Sequence, residues 1–368
     1  MKNMSASNGK ISTMQAAIIV LNCMFNAGIL ILPRTLSKSA QTPDIWISML
    51  LAGFFVIGIG IIVVNLSMRY PGKTVFEFTR SITGIRGSDI YGLMIIIYFL
   101  VLSSMEIRVM AEATDMYLLQ STPYWATVIV FLWSGLYAVT GGLSVMIRLI
   151  TITLPFTLII FIVGILLSSK LFEFNNLVPM FGDGIIPVLK GVQPAVLSYS
   201  GYEMMLILTA YMTHPKESTK TVIWSISIVT LICSFTMVMV VGCLSLSGIT
   251  TRTFPTLDLL RSFEMEGVFF ERFELLLLIF WIVQIFATFT IKYYFTSIGI
   301  QNLFRLRKVQ PIYYLLLPLI YLVSTLPKSL FQALVLGDIL GNVSAVLFAV
   351  IPLLLLLIDI IRKGARIR

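Results

Sequence analysis

The stretch LNCMFNAGILILPR, residues 21–34, lies in an apolar run that begins near residue 11 and is long enough to cross a bilayer. Asn26, Ala27 and Gly28 stand at the middle of that run. A helix that only anchors a protein has no use for an asparagine and a flexible glycine at mid-membrane depth. Unwinding a helix in hydrocarbon strands backbone groups, and it is tolerated only where the backbone is buried in protein or lines a water-filled cavity. The run therefore predicts a helix broken at Asn26–Ala27–Gly28. Where the helix restarts, at Gly28, backbone N–H groups and the positive dipole end suit an anionic group such as a carboxylate. Where the first half ends, near Asn26, open carbonyls suit an ammonium or a cation. Such a pair of ends can hold a small zwitterion.

Composition agrees with a membrane setting along the whole chain. Of 368 residues, 58% are hydrophobic and 12% charged, against about 45–50% apolar and about 25% charged in soluble domains. Mean hydropathy is +0.97, and the apolar runs leave no sizeable soluble domain. A bilayer span needs about 20 mostly apolar residues. Ten such spans are predicted, at 11–33, 43–67, 89–118, 123–141, 144–168, 187–211, 220–246, 268–302, 311–326 and 338–361. Residues 1–368 then form a single polytopic domain, with spans 1–5 over about 11–168 and spans 6–10 over about 187–361. The net charge of +9 does not call for nucleic acid, because the basic residues sit in short loops between spans. There they orient the chain in the lipid bilayer. With the N-terminus inside, sixteen Lys and Arg fall on the cytoplasmic side and eight on the other, so both termini are expected in the cytoplasm. Lys2 and Lys10 precede the first span, but no small-residue cleavage site follows a short apolar core, so that span reads as retained. Cys23, Cys233 and Cys243 lie in apolar runs without metal spacing and read as small hydrophobes.

Ten spans divide into five plus five, with span 6 starting a second, inverted half. Span 6 is also interrupted at mid-depth: VQPAVLSYSGYEMMLILTAYM, residues 192–212, carries Ser198, Tyr199, Ser200, Gly201, Tyr202 and Glu203 at its centre. Small residues in a span often serve only close packing. Interruptions in corresponding spans of two inverted halves instead point to a solute site at the repeat interface.

NAGILILP, residues 26–33, resembles the glycine motif in the first helix of the amino acid–polyamine–organocation transporters, with Asn26 in the place of that pattern's first glycine. SYSGYE (198–203) and HPKESTK (214–220) resemble the sixth helix of the same superfamily and the loop after it. Within it, the chain is identified as a member of the permease-like B subunits of bacterial spore germinant receptors. The marks are ILPR (31–34), SGYE (200–203), HPKE (214–217) and FPTLDLLRSFEMEGVFFERFE (254–274), the last absent from ordinary amino acid permeases. The resemblance implies an all-α LeuT-like fold of ten helices, with helices 1 and 6 broken. It further implies a spore inner membrane location, assembly with an A subunit and a C lipoprotein, and germination triggered by nutrients such as amino acids or sugars.

Ionisable residues at mid-depth are costly and are functional candidates. Span 3 carries Glu106, Arg108, Glu112 and Asp115. Arg108, Glu112 and Asp115 share one stripe, and Arg108 can pair with Glu112. Glu106 points about 180° away from Asp115 at 3.6 residues per turn, so span 3 belongs at the centre of the bundle. Span 8 aligns Gln284, Thr288, Lys292 and Thr296 on one face. A buried lysine there can stand in for a bound cation, with Glu203 or Glu106 as its partner; the spacing does not choose between them. Tyr98, Tyr199 and Tyr202 are candidate gates, although aromatics in spans more often pack. The only histidine, His214, is a loop residue. No nucleotide-binding, HExxH or GxSxG pattern occurs, so neither an enzyme nor a cofactor is expected. Two functions remain. One is a nutrient sensor that binds solute at the paired breaks, with Glu106, Arg108, Glu203 and Lys292 in coupling or gating. The other is a proton-coupled amino acid transporter in which Glu203 or Lys292 relays the proton.

Overall fold

Ser12 opens the first helix with a capping box: its hydroxyl accepts the Gln15 N–H at 3.2 Å, and Gln15 Oε1 accepts the Ser12 N–H at 2.9 Å. The computed structural model describes residues 10–25, 28–119, 122–262 and 273–366. Helix α1 (Thr13–Met24) ends where the polar interruption begins, and α2 (Gly28–Ala40) resumes with its axis bent by 54°. There follow α3 (Ile45–Met68), α4 (Val75–Tyr117), α5 (Tyr124–Thr140) and α6 (Leu143–Leu167). The second half holds α7 (Ile185–Ser198), the short α8 (Met205–Leu208), α9 (Ser218–Thr251), α10 (Pro255–Ser262), α11 (Phe273–Leu303) and α12 (Gln310–Thr325). The last span is α13 (Leu330–Ala345), a π-helical turn at Val346–Val350 and α14 (Ile351–Arg366).

Six helical stretches among the described residues are long and apolar enough to cross a membrane, and the bent pair α1 and α2 makes a seventh. The shorter apolar helices α5, α7 and α12 occupy the three remaining predicted spans. The fold is thus all-α, with broken helices 1 and 6 as expected. Its outer surface is apolar, as lipid contact requires: Phe54, Phe55, Trp133 and Leu315 are all exposed.

Three elements differ from the hydropathy reading. The stretch α4 opens at Val75, well before the predicted 89, because Thr74 and Glu77 form a capping box that starts a short helical segment; Gly84, at φ +79°, breaks it, and the spanning segment resumes beyond that residue, close to the predicted start. The amphipathic turns before residue 89 carry too many charges for a hydropathy window to register. The last span starts at Leu330, eight residues before the predicted 338, and holds a π turn that no periodicity marks. Helix α10, inside the 254–274 motif, was not expected; Thr256 Oγ1 reaches the Ile29 carbonyl on α2 at 3.3 Å. Residues 263–272 of that motif lie outside the described residues.

Helices α4 and α11 pack along one another at the centre, as the two-faced polarity of span 3 requires. Helices α3 and α9 form a second close pair. A Cβ added at Gly53 would come within 2.3 Å of Thr230 Oγ1, and one at Gly60 within 2.4 Å of Val222 Cγ1. Small residues at this seven-residue spacing let the two backbones approach.

Candidate functional site

The two breaks meet. Helix α1 closes with the Phe25 N–H on the Leu21 carbonyl at 2.8 Å, and α7 closes with the Tyr199 N–H on the Val196 carbonyl at 3.2 Å. Gly201 then takes φ +143°, a conformation that only glycine adopts readily. A Cβ at this position would fall 2.6 Å from the Met24 nitrogen and 2.8 Å from the Cys23 carbonyl carbon. The helix 6 break therefore lies backbone-on-backbone against the end of α1. Asn26 and Ala27 lie outside the described residues.

Two of the carbonyls at the end of α1, those of Asn22 and Phe25, are not left open, whereas the sequence suggested open carbonyls near Asn26, which lies outside the described residues. Gln284 Nε2 donates to the Asn22 and Phe25 carbonyls at 3.3 and 3.4 Å, and Thr288 Oγ1 donates to the Asn22 carbonyl at 3.3 Å. Asn22 Nδ2 in turn donates to Thr288 Oγ1 at 2.9 Å. The first half of the polar stripe on α11 thus caps the broken helix and satisfies acceptors that would otherwise be orphaned in a buried place. Glu203 does the matching work at the other break. Its carboxylate accepts the Gly201 N–H at 2.6 Å and the Ser200 hydroxyl at 3.0 Å. A negative charge at the start of the resumed helix is favoured by the helix dipole.

Lys292 is fully buried on α11 and forms an ion pair with Glu106 on α4. Of the two partners left open by the sequence, the structure selects Glu106. Glu106 Oε1 takes the ammonium, whereas the buried Oε2 has no hydrogen-bond partner among the described residues. Glu106 also lines a cavity of about 180 Å³ between α2, α4, α7 and α13. Gly28, Thr35, Met105, Ser198, Ser200 and Asp338 are among its other walls. Tyr98 stands one step behind the wall, its hydroxyl 3.0 Å from Ser200 Oγ.

Several predicted site residues face elsewhere. Tyr199 turns toward α3 and α9, with its hydroxyl 2.7 Å from Thr230 Oγ1 and 3.3 Å from the Met49 carbonyl. Gly201 and Tyr202 are buried and do not line the cavity; Gly201 acts by letting the two breaks touch. Arg108 pairs with Glu112 and stacks 4.5 Å over the Tyr124 ring on α5, so it clamps α4 to α5. The fourth wall, with Leu334, Gly337 and Asp338 on α13, was missed. An aspartate beside a glycine in an apolar run was the available signal, and it was lost because the predicted span began at residue 338.

The all-helical fold is shared with known proteins. A sequence model of the family described as spore germination proteins (Spore_permease) matches residues 10–333. The chain is 44% identical over 360 residues to "Spore germination protein YndE" of Bacillus subtilis strain 168, covering 98% of this chain and 99% of that one. It is 34% identical over 354 residues to "Spore germination protein A2" of the same strain, covering 96% of each. Among solved structures, a nucleobase-cation-symport-1 family transporter (MHP1, closed, with bromovinylhydantoin bound) superposes with a TM-score of 0.71 at 11% identity. That match covers 95% of this chain and 79% of the transporter. A Na+-coupled sialic acid symporter in a substrate-bound outward-open state gives a TM-score of 0.66 at 10% identity, over 93% and 78% of the two chains. At these identities the likeness establishes the fold, which is the LeuT-like transporter architecture. The chain belongs to the Spore_permease family of spore germination proteins: it is a multi-pass, permease-like membrane protein that senses germinants.

Proposed function

We propose that this chain is the nutrient-binding subunit of a spore germinant receptor, and that its ligand is a small zwitterion of amino-acid size held in the cavity beside the paired breaks. The observation that carries this reading is Glu106, a buried carboxylate residue on a cavity wall that also holds the start of α2, whose Oε2 has no hydrogen-bond partner among the described residues. An ammonium fits the carboxylate oxygen, and a carboxylate fits the positive end of the α2 dipole. The volume of about 180 Å³ slightly exceeds the roughly 150 Å³ cavity that admits benzene. It suits a single amino acid better than a sugar. Ser198 and Ser200 supply orienting hydroxyls in an otherwise mostly apolar lining, the usual composition of a small-molecule site.

Sensing is favoured over carriage by what lies beyond the breaks. The Ile11 N–H donates to the Tyr211 carbonyl at 2.8 Å, and the Thr213 N–H donates to the Ile11 carbonyl at 2.9 Å. Thr13 also hydrogen-bonds Glu217. These straps tie the start of α1 to the end of helix 6, on the side away from the cavity. In this reading the chain is one domain in the spore inner membrane, with both termini cytoplasmic, and an A subunit and a C lipoprotein receive the signal. The test compares spores carrying and lacking this gene against single L-amino acids, glucose, fructose and inosine. Loss of the response to one amino acid in the deletion strain supports the reading. Concentrative uptake of that nutrient by proteoliposomes holding this chain alone would overturn it in favour of a transporter.

A further inference from the structure

The last span touches the cavity at one end and the opposite face of the bundle at the other. Helix α13 supplies the wall at Leu334, Gly337 and Asp338. Helix α14 carries Asp359, whose carboxylate accepts Arg69 Nη1 at 2.6 Å and the Tyr70 hydroxyl at 2.5 Å, and Arg362, which donates to the Ile82 carbonyl. Between these two ends the helix widens into the π turn at Val346–Val350. A π turn holds one residue more than the α-helix around it, and such turns recur at functional sites. Returning it to α geometry displaces α14 against α13 by one residue, about 1.5 Å along the axis and about 100° around it.

The same turn is wired to the cavity. Ser200, on the wall, hydrogen-bonds Tyr98 and Glu203, both at 3.0 Å. The Tyr98 ring meets Phe348 edge-on with centroids 5.0 Å apart, and Phe99 stacks on Phe348 at 6.0 Å. Tyr91, on the same helix as Tyr98, donates its hydroxyl to the Leu347 carbonyl at 2.8 Å, satisfying an acceptor within the turn. The structure shows the π register; a passage to the α register would make the turn a discrete two-state element, which is what coupling between distant sites requires.

We propose that the π turn at Val346–Val350 is the switch that reports cavity occupancy. Solute contact at Ser200 passes through Tyr98 to Phe348, changes the register of the turn, and moves α14 at the Arg69–Asp359 clasp. Tyr91, Phe348 and Asp359 are positioning residues in this scheme. It rests on the cavity being the nutrient site, so the test reads occupancy and response separately.

The probe is a mixture of the twenty L-amino acids with glucose and inosine. Occupancy is read in spore membranes as protection, by that mixture, of the thiol introduced by Thr35→Cys on the cavity wall against maleimide. Response is read as germination rate. Deleting Ala349 removes the extra residue while leaving both flanking helices facing as before, and Phe348→Leu removes the ring that Tyr98 touches. At normal subunit levels, both changes are expected to keep the protection and to cost about 5- to 150-fold in nutrient sensitivity, the range of ordinary allosteric coupling. Asp359→Asn is expected to act in the same direction. Wild-type sensitivity in either of the first two variants overturns the switch, and so does protection falling in step with response. If the Ala349 deletion does not accumulate, Phe348→Leu decides. Absence of protection in the Thr35→Cys parent overturns the site itself, and the switch with it.

Discussion

Glu106→Gln breaks the buried ion pair between Lys292 and the cavity-lining Glu106, and its consequences can be worked from the structure. The Lys292 side chain is 0% exposed and that of Glu106 is 6% exposed. Two unit charges about 4 Å apart attract by about 4 kcal/mol at an effective dielectric constant near 20. Stranding one member of a buried pair costs about 3–5 kcal/mol, or roughly 10²- to 10⁴-fold in the folded-to-unfolded ratio at 1.4 kcal/mol per tenfold. Glutamine keeps an acceptor near Lys292 but not the charge, so the loss is expected at the lower end of that range. Combining Glu106→Gln with Lys292→Met removes the stranded ammonium and is expected to recover at least about 2 kcal/mol relative to the sum of the single changes. Thermal unfolding of the detergent-solubilised chain and subunit abundance in spore inner membranes measure this coupling. The nutrient response is expected to behave differently: the double variant recovers its abundance and stays unresponsive, because the negative charge that would hold the ligand ammonium is still missing. Strictly additive losses would refute the pair, and a responsive double variant would refute the role of Glu106 in binding.

Other expectations follow from the packing around the breaks. Gly201→Ala places a Cβ 2.6 Å from the Met24 nitrogen at φ +143°, so it is expected to lower subunit abundance severely; Gly58→Ala, with open space around it, is the neutral control in the same immunoblot. Gln284→Leu keeps the side-chain volume but uncaps the Phe25 carbonyl, and it is expected to cost about 1–3 kcal/mol in thermal unfolding. Lys292→Arg forces a broader head into a fully buried site and is expected to cost about 1–3 kcal/mol of overpacking, with most of the nutrient response lost; full germination at normal abundance would make Lys292 a mere anchor. Gly28→Val is expected to abolish the response while the protein still accumulates, since a β-branched residue crowds the cavity wall at the start of α2, and germination at wild-type nutrient concentrations would count against the helix 1 site.

What the sequence determined by itself was periodicity and the cost of burial. Twenty-residue apolar runs, polar interruptions at 26–28 and 198–203, and charges on two faces of span 3 are local patterns. In hydrocarbon a local pattern has few structural outcomes, because every backbone group must find its partner within a helix or at a buried break. Hence the ten helices, the two broken ones and the central place of α4 could be read before any contact was known. The pairing of Arg108 with Glu112 was legible for the same reason, since it spans one turn of a single helix. What only the tertiary structure decided was which polar groups meet across helices. Lys292 could reach Glu203 or Glu106 by its position along the membrane. The rotation of α11 against α4 gave it Glu106 and left Glu203 to cap its own break. The carbonyls at the end of α1 looked open from the chain alone, yet Gln284, some 260 residues away, closes two of them, those of Asn22 and Phe25. The π turn behind the α13 wall leaves no periodic trace, because residues 346–358 are apolar on every face, so the phase step of one extra residue shifts no polar stripe and takes effect only through the neighbours that surround it.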